Sequence, residues 1–134
     1  MNKKKTQEGS VLLVSIFVSA LFGAMVIGMM QLNTEEAMLV NNYMELTKAI
    51  AIAEAGLNDA YYEIRRDQNW SAGFTNKAFG GGTYSVTAAG TLPDLNLVST
   101  GVTAAGYKAR VDADINISGS SPYTIKVNQV RIND

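Results

Sequence analysis

A long uncharged segment near the N-terminus is the strongest constraint on how this chain folds. Residues 10–34 carry no charged side chain, whereas residues 1–9 carry three lysines and one glutamate. As an α-helix the segment would reach about 37 Å, which is enough to cross a hydrocarbon core of about 30 Å with some tilt. A secretory signal peptide has its apolar stretch before the cleavage site. Here the apolar stretch follows a polar leader, so we predict a membrane-spanning helix that stays in the mature protein.

The lysines at the start of this segment predict its orientation. Lys3, Lys4 and Lys5 precede the apolar run, and lysine-rich flanks stay in the cytoplasm by the positive-inside rule. We therefore predict a single-pass protein of the cytoplasmic membrane with its N-terminus inside the cell. The rest of the chain is expected outside the cytoplasm, at the cell surface.

Composition leaves few candidates for catalysis. The chain has no cysteine and no histidine, which removes disulfides, thiolate metal sites and the commonest general base. Removing residues 1–9 would change the formal charge from −1 to −3, whereas nucleic-acid-binding surfaces are basic and clustered. We predict no enzyme, no cofactor, no metal site and no small-molecule substrate, and the sequence leaves DNA binding open.

The helical pattern continues beyond the apolar run. No proline interrupts residues 35–66, and apolar residues recur there at steps of three and four, which is typical of one buried helix face. The predicted stripe consists of Leu39, Tyr43, Leu46, Ile50, Ala53, Leu57, Ala60 and Ile64. A dimeric coiled coil would suit this spacing, but the alanines make a weak zipper. Packing on the protein's own sheet is the favoured alternative.

A loop and then a sheet are predicted after the helix. Residues 67–82 lose the helical period and end in three glycines, so we expect a connecting loop whose rings, Trp70, Phe74 and Phe79, either pin it to the sheet or contact a partner. Residues 83–134 show the period of two that indicates strands. We predict an α+β fold with four antiparallel strands, at about residues 83–89, 95–102, 107–117 and 123–132. Gly106 should supply the positive φ of a tight hairpin, and the change of phase before Val130 indicates a late bulge.

Several short motifs together resemble those of a known family. They are the lysine-rich tip, Gly9 before a small residue, the apolar run from Val11, the segment Ala53-Glu-Ala-Gly-Leu57, and Val98-Ser-Thr-Gly101. In these motifs the chain resembles type IV pilin-like proteins, most closely the PilX-type minor pilins and pseudopilins. The resemblance implies a leader at residues 1–9, a prepilin peptidase cut between Gly9 and Ser10, and methylation of the new N-terminus. It also implies a long helix packed on a small sheet.

One position departs from the family pattern. Major pilins carry a glutamate five residues into the mature chain, and Val14 stands at that position here. A carboxylate at this depth is costly unless a neighbour's amine pairs with it. A subunit that starts a filament has no subunit ahead of it whose N-terminal amine needs neutralising. The resemblance, together with the missing glutamate, therefore implies a minor subunit at the tip or in assembly initiation.

The membrane half also carries small residues at helical spacing. Ser15, Ser19 and Gly23 form one row, and Ala20, Ala24 and Gly28 form a second beside it. Such rows let helices approach closely in lipid or in a filament core, although small residues are also simply frequent in membrane helices.

Other candidate sites are weak. Asp112 and Asp114 lie two residues apart and therefore point to one face of a predicted strand. We expect this face to be exposed to solvent, which would explain the two carboxylates. The alternative, a calcium site, would also need Asp94, Asn116 or main-chain carbonyls as ligands. Glu54 lies in the family-like helical segment without an accompanying base, nucleophile or metal ligand.

Three functional hypotheses follow. The first is a structural subunit of a type IV pilus or a type II secretion-like filament, whose partners would be the prepilin peptidase, other pilins, the inner-membrane assembly platform and, before assembly, the lipid bilayer. The second is a tip-located binding module for adhesion, DNA uptake or secretion cargo. The third is a plain signal-anchored protein that keeps residues 1–9.

Overall fold

The structure is a computed structural model that describes residues 3–133, with side chains described from Gly9 onward. The side chains of residues 1–8, which include the three lysines of the predicted leader, lie outside this description. The chain divides into two compact units, Met1–Asn41 and Asn42–Asp134. A single helix supplies all the described secondary structure of the first unit, whereas the second combines the end of that helix with a sheet.

Helix α1 runs from Lys3–Arg66 without a break. Its continuity follows from the sequence, since no proline precedes Pro93 and helix interiors exclude proline. Arg65 and Arg66 occupy its last turn, where cations interact favourably with the helix dipole. The N-terminal part is long and apolar enough to cross a membrane, and no residue of its most apolar 18-residue segment is buried by the rest of the described chain.

Five antiparallel strands follow the helix in the order of the sequence, β1-β2-β3-β4-β5. Their bounds are β1 Phe74–Phe79, β2 Gly82–Thr91, β3 Asp94–Thr103, β4 Lys108–Ser118 and β5 Thr124–Asn133. The prediction of an α+β fold is confirmed, and the prediction of four strands is wrong. The additional strand, β1, lies within the segment that the sequence indicated as a loop.

The missed strand lacks the period-two signal for a structural reason. β1 is a short edge strand in which only Phe74 is even partly buried, so its sequence has no reason to alternate. Its pairing with β2 is also irregular between Phe74 and Lys77, where Asn76 adopts a positive φ of 47°. A bulge of this kind breaks the alternation further.

Two details of the sheet were predictable from local signals. Gly106 has φ of 88° in the turn between β3 and β4, and its N–H donates to the Thr103 carbonyl at 2.9 Å. In β5 the register with β4 shifts between Asp114 and Ile115, so that Asn128 is the extra residue. The predicted hairpin and the predicted late bulge are both confirmed.

The core lies between the C-terminal part of α1 and one face of β2, β3 and β4. On the helix the buried residues are Ala49, Ile52, Ala53, Gly56, Leu57, Ala60 and Ile64. On the sheet they include Tyr84, Val86, Leu97, Val111, Ala113, Ile115 and Ile117. An isolated sheet of this size would bury too little apolar surface to be stable, so the helix supplies the other half of the core.

The buried helix face differs in part from the predicted stripe. Leu39 and Tyr43 are exposed, and Leu46 and Ile50 are only half-buried. The contact face is instead centred on small residues, among them Ala49 and Gly56, because these allow the helix backbone to lie close to the sheet. The periodicity of large apolar side chains indicates an apolar face but does not show how far along the helix the sheet extends.

Candidate functional site

The membrane-compatible part of α1 presents its predicted site residues to the surroundings. Ser10, Val14, Ala24 and both serines of the small-residue row are exposed, as is Gly9. The Ser15 hydroxyl donates to the Leu12 carbonyl and the Ser19 hydroxyl to the Ser15 carbonyl, both at 2.8 Å. Because these hydroxyls are satisfied within the helix, they would not be unpaired polar groups in a bilayer.

Gly23 and Gly28 leave open space beside this part of the helix. A Cβ added at either position would meet no atom within 4 Å. At each of these two positions, which lie on different rows of the helix, the backbone is therefore open to a second helix. That a neighbouring subunit uses this space stays a prediction.

Two segments that carry the family resemblance contact each other in the second unit. A Cβ placed on Gly101 would lie 2.3 Å from the Ala49 carbonyl oxygen and 2.6 Å from the Ala53 nitrogen. A Cβ placed on Gly56 would lie 2.5 Å from the Ser99 hydroxyl oxygen. The segment 53–57 on α1 therefore packs directly on the segment 98–101 of β3, and both need residues without side chains. The Ser99 hydroxyl is fully buried there and has no hydrogen-bond partner within the described chain.

The three rings of the segment predicted as a loop form a chain of contacts that ends at Tyr84. The Trp70 and Phe74 centroids are 5.1 Å apart, and Phe74 meets Tyr84 edge-on at 5.9 Å. The Phe79 centroid lies 6.3 Å from that of Tyr84. Trp70 and Phe74 are half-buried, whereas Phe79 is 52% exposed. Packing therefore accounts for Trp70 and Phe74, and Phe79 is the ring that a partner could reach.

A charged cluster joins α1 to β1 and β2 at the same place. The Lys77 ammonium donates to the Asp59 carboxylate, and the Tyr84 hydroxyl donates to the same oxygen at 2.5 Å. The hydrogen bond from Lys77 is the main cause that lowers the pKa of Asp59 below its ordinary value, and the Tyr84 hydrogen bond adds to it. Lys77 also lies 4.6 Å from the Phe74 ring centroid. The cluster ties the edge strand to the helix.

The outer face of the sheet is polar and internally paired. Arg110 binds both carboxylate oxygens of Asp112, at 2.7 and 3.1 Å. Asp114 accepts from the Asn96 amide at 2.6 Å and pairs with Arg131 at 3.1 Å. Asp94 likewise accepts from Asn116 at 2.8 Å. Asp94 and Asp114 therefore take part in cross-strand pairs, whereas Asp112 pairs with Arg110 of its own strand. Among the described residues no three acidic side chains come together as metal ligands.

A groove lies between α1 and the last strand, and the sequence did not indicate it. Asn58, Tyr61, Tyr62 and Arg65 form its helix wall, and Ile125 and Val127 form its strand wall. Its volume is about 310 Å³. The signal that could have found it is the pair Tyr61-Tyr62, which lies off the predicted stripe although both rings are largely apolar.

The described side chains offer no catalytic constellation. Glu54 is exposed on α1, and the titratable side chains with displaced pKa values engage one another in ion pairs or lie in packed positions. No protein-family model, curated protein or solved structure matches the chain.

Proposed function

We propose that the chain is a minor pilin or pseudopilin, a structural subunit of a type IV pilus or type II secretion-like filament. One observation carries the proposal. A single unbroken helix has an uncharged, exposed N-terminal part, and its C-terminal part forms half the core under an antiparallel sheet. The first part would anchor the subunit in the membrane and then enter the filament core. The second part would carry the antiparallel sheet on the outside of the filament.

The helix–sheet contact supports the same proposal. The segment 53–57 and the segment 98–101 each resemble the PilX-type proteins, and they pack on each other through Gly56, Ser99 and Gly101. These two segments are far apart in the sequence, but both are needed for the close approach of α1 to β3. A chance likeness would not be expected to involve two segments in direct contact.

This role predicts an order of processing and assembly steps. Prepilin peptidase would cut between Gly9 and Ser10 and methylate the new N-terminus, after which the subunit would wait in the cytoplasmic membrane. The assembly platform would then extract it into the filament beside other pilins. With Val14 in place of the family glutamate, we propose a position at the tip or in assembly initiation.

Intact-mass analysis of the protein extracted from membranes tests this proposal. Expressed with an active prepilin peptidase, the chain should begin at Ser10, with or without one added methyl group. Expressed with a catalytically inactive peptidase, it should keep residues 1–9. A chain that is uncut in both backgrounds would instead identify a plain signal-anchored protein.

A tip-located binding module is the second candidate, and the exposed ring of Phe79 favours it. Substitution separates the two roles. Loss of filaments after changes in the buried helix face, at Ala53 or Leu57, supports an assembly role. Normal filaments with lost adhesion, DNA uptake or cargo secretion after Phe79→Ala would support recognition.

A further inference from the structure

The last strand ends the sheet on one side and leaves a long free edge. β5 contains ten residues and pairs with β4 along one side, and no strand of the described residues, 3–133, pairs with its other side. Its outward N–H and C=O groups are therefore open to another extended chain. The opposite edge, β1, has only six residues and an irregular register.

β5 also carries an uncovered apolar row. Residues directly opposite each other on neighbouring strands share a face of the sheet, and Val127, Val130 and Ile132 lie opposite Ile115, Ala113 and Val111. The three β4 residues are at most 1% exposed, whereas the three β5 residues are 44%, 51% and 49% exposed. Helix α1 therefore covers this face as far as β4 and leaves the β5 part of it open.

The groove between α1 and β5 continues this apolar row. Its strand wall is formed by Ile125 and Val127, and its helix wall by two tyrosines, Asn58 and Arg65. A strand added beside β5 would direct alternate side chains toward this face of the sheet. The groove is large enough to receive such side chains.

Charge indicates which kind of strand would be accepted. β5 carries Lys126 and Arg131 and no acidic residue. Arg131 pairs with Asp114 of β4, whereas Lys126 and Arg65 of the groove lining form no ion pair among the described residues. A second copy pairing through β5 would add a second Lys126 and a second Arg65 to the same edge. Like charges across a strand pair are destabilising, so the β5 edge disfavours a second copy.

We propose that β5 and its groove bind an extended acidic segment of another protein, which adds a sixth strand to the sheet. The bound segment alternates apolar residues, which cover Val127, Val130 and Ile132, with aspartate or glutamate. One of these carboxylates faces Lys126, and another would share Arg131 with Asp114. Main-chain hydrogen bonds supply affinity, and the groove and the charges supply selectivity. This interaction goes beyond the filament role and does not depend on it.

Peptide binding to the full chain in detergent micelles tests the proposal. The probe is a ten-residue peptide in which valine or isoleucine alternates with aspartate, glutamate or threonine. We expect fluorescence anisotropy to show binding in the micromolar range, weakened about tenfold when lysine replaces the acidic residues. A version N-methylated on alternate residues, which cannot pair along one edge, should bind at least as weakly. Equal binding of all three peptides, or no binding by the acidic one, would overturn the proposal.

A matched pair of variants checks the location. Val130→Lys places a charge in the apolar row, whereas Gln129→Lys places the same charge on the opposite face of the same strand. Both positions are exposed, so neither change disturbs the core. Val130→Lys should weaken binding about tenfold, and Gln129→Lys should not weaken it. A loss of similar size in both variants would contradict the groove as the binding site.

Hydrogen exchange distinguishes peptide binding at β5 from binding at β1 and from pairing with a second copy of the chain. The acidic peptide should slow exchange of the outward amides of β5 and leave those of β1 unchanged. Protection confined to β1 would move the site and overturn the proposal. Protection of β5 that rises with protein concentration in the absence of peptide would identify a second copy as the occupant instead.

Discussion

Gly101 lies at a close approach of the helix backbone to the sheet. The Ala49 carbonyl oxygen and the Ala53 nitrogen of α1 both lie within 2.6 Å of where its Cβ would be. These are backbone atoms of a buried helix and cannot rotate away as a side chain could. A methyl group at this position would have to move the whole helix away from β3.

We therefore expect Gly101→Ala to lower the free energy of unfolding by about 3 kcal/mol, the upper range for an added core methyl group. Chemical denaturation in detergent micelles, followed by tryptophan fluorescence, measures it. Gly28→Ala is the matched control, since its added methyl meets no atom within 4 Å, and it should leave the unfolding of the second unit unchanged. Equal stability of the two variants would contradict the close contact.

Asp59 gives the second unit a defined pH dependence. Lys77, and then Tyr84, stabilise the ionised carboxylate, so its pKa in the folded protein lies below the ordinary value of 3.8. A depressed pKa contributes stability that is complete above the unfolded value and is lost as the pH falls through the folded value. The contribution thus disappears on the acid side of about pH 4.

The comparison of wild type with Asp59→Asn isolates this effect. At neutral pH the variant should be less stable by about 1 kcal/mol. The difference should shrink steadily as the pH is lowered below 3.8, because the wild-type carboxylate then loses its charge. Denaturation curves recorded across that range measure it, and a difference that grows toward acid would reverse the assigned sign.

At the scale of elements, the edge strand β1 is held by aromatic packing more than by its own sequence. Trp70 and Phe74 are half-buried, Trp70 packs on Phe74, and Phe74 meets Tyr84 edge-on, while Phe79 is 52% exposed. Trp70→Ala should lower the free energy of unfolding by about 2 kcal/mol, and Phe79→Ala by less than about 1 kcal/mol. Thermal unfolding followed by circular dichroism tests the order. If Trp70→Ala were the milder change, its ring would be a contact surface and not a packing residue.

The elements differ in how well their sequences predict them. Helix α1 and strands β2 to β4 carry clear periods because each presents one face to the core. β5 also alternates, although most of its apolar face is exposed, and the Gly106 turn and the β5 bulge leave local signals. β1 has almost no buried face, so its pairing is imposed by the hairpin with β2 and by the Lys77–Asp59 contact. Its sequence alone could not predict a strand.

The same physical difference explains the partial error on the helix. Large apolar residues such as Leu39 and Tyr43 fit the helical period but are exposed, because no other described residue packs on them. Ala49 and Gly56 are buried, since their small size lets the helix lie close to the sheet. A hydrophobicity pattern gives little weight to small residues, although close helix–sheet contact depends on them. The open face of β5 was hidden for a related reason: alternation indicates an apolar face but not whether another element covers it.

At the scale of the whole molecule, the proposed filament role would place the N-terminal part of α1 in two environments, lipid before assembly and neighbouring helices afterwards. Its exposed apolar side chains suit the first, and its open faces at Gly23 and Gly28 suit the second. A carboxylate in this region would be costly in lipid unless another subunit neutralised it. The uncharged Val14 therefore bears on the place of the subunit in a filament.

If the chain starts filaments, restoring the family glutamate should bring no benefit. A subunit within the filament body would gain a pairing with the N-terminal amine of the subunit ahead of it, whereas a first subunit has none ahead and only acquires the cost of a buried charge. We expect Val14→Glu to leave the number of copies per filament unchanged or reduced, and to reduce the amount of protein in the membrane. Quantitative mass spectrometry of purified filaments and membranes measures both, with Val14→Leu as the uncharged control. An increase of several-fold in copies per filament, seen with the glutamate and not with the leucine, would place the subunit in the filament body.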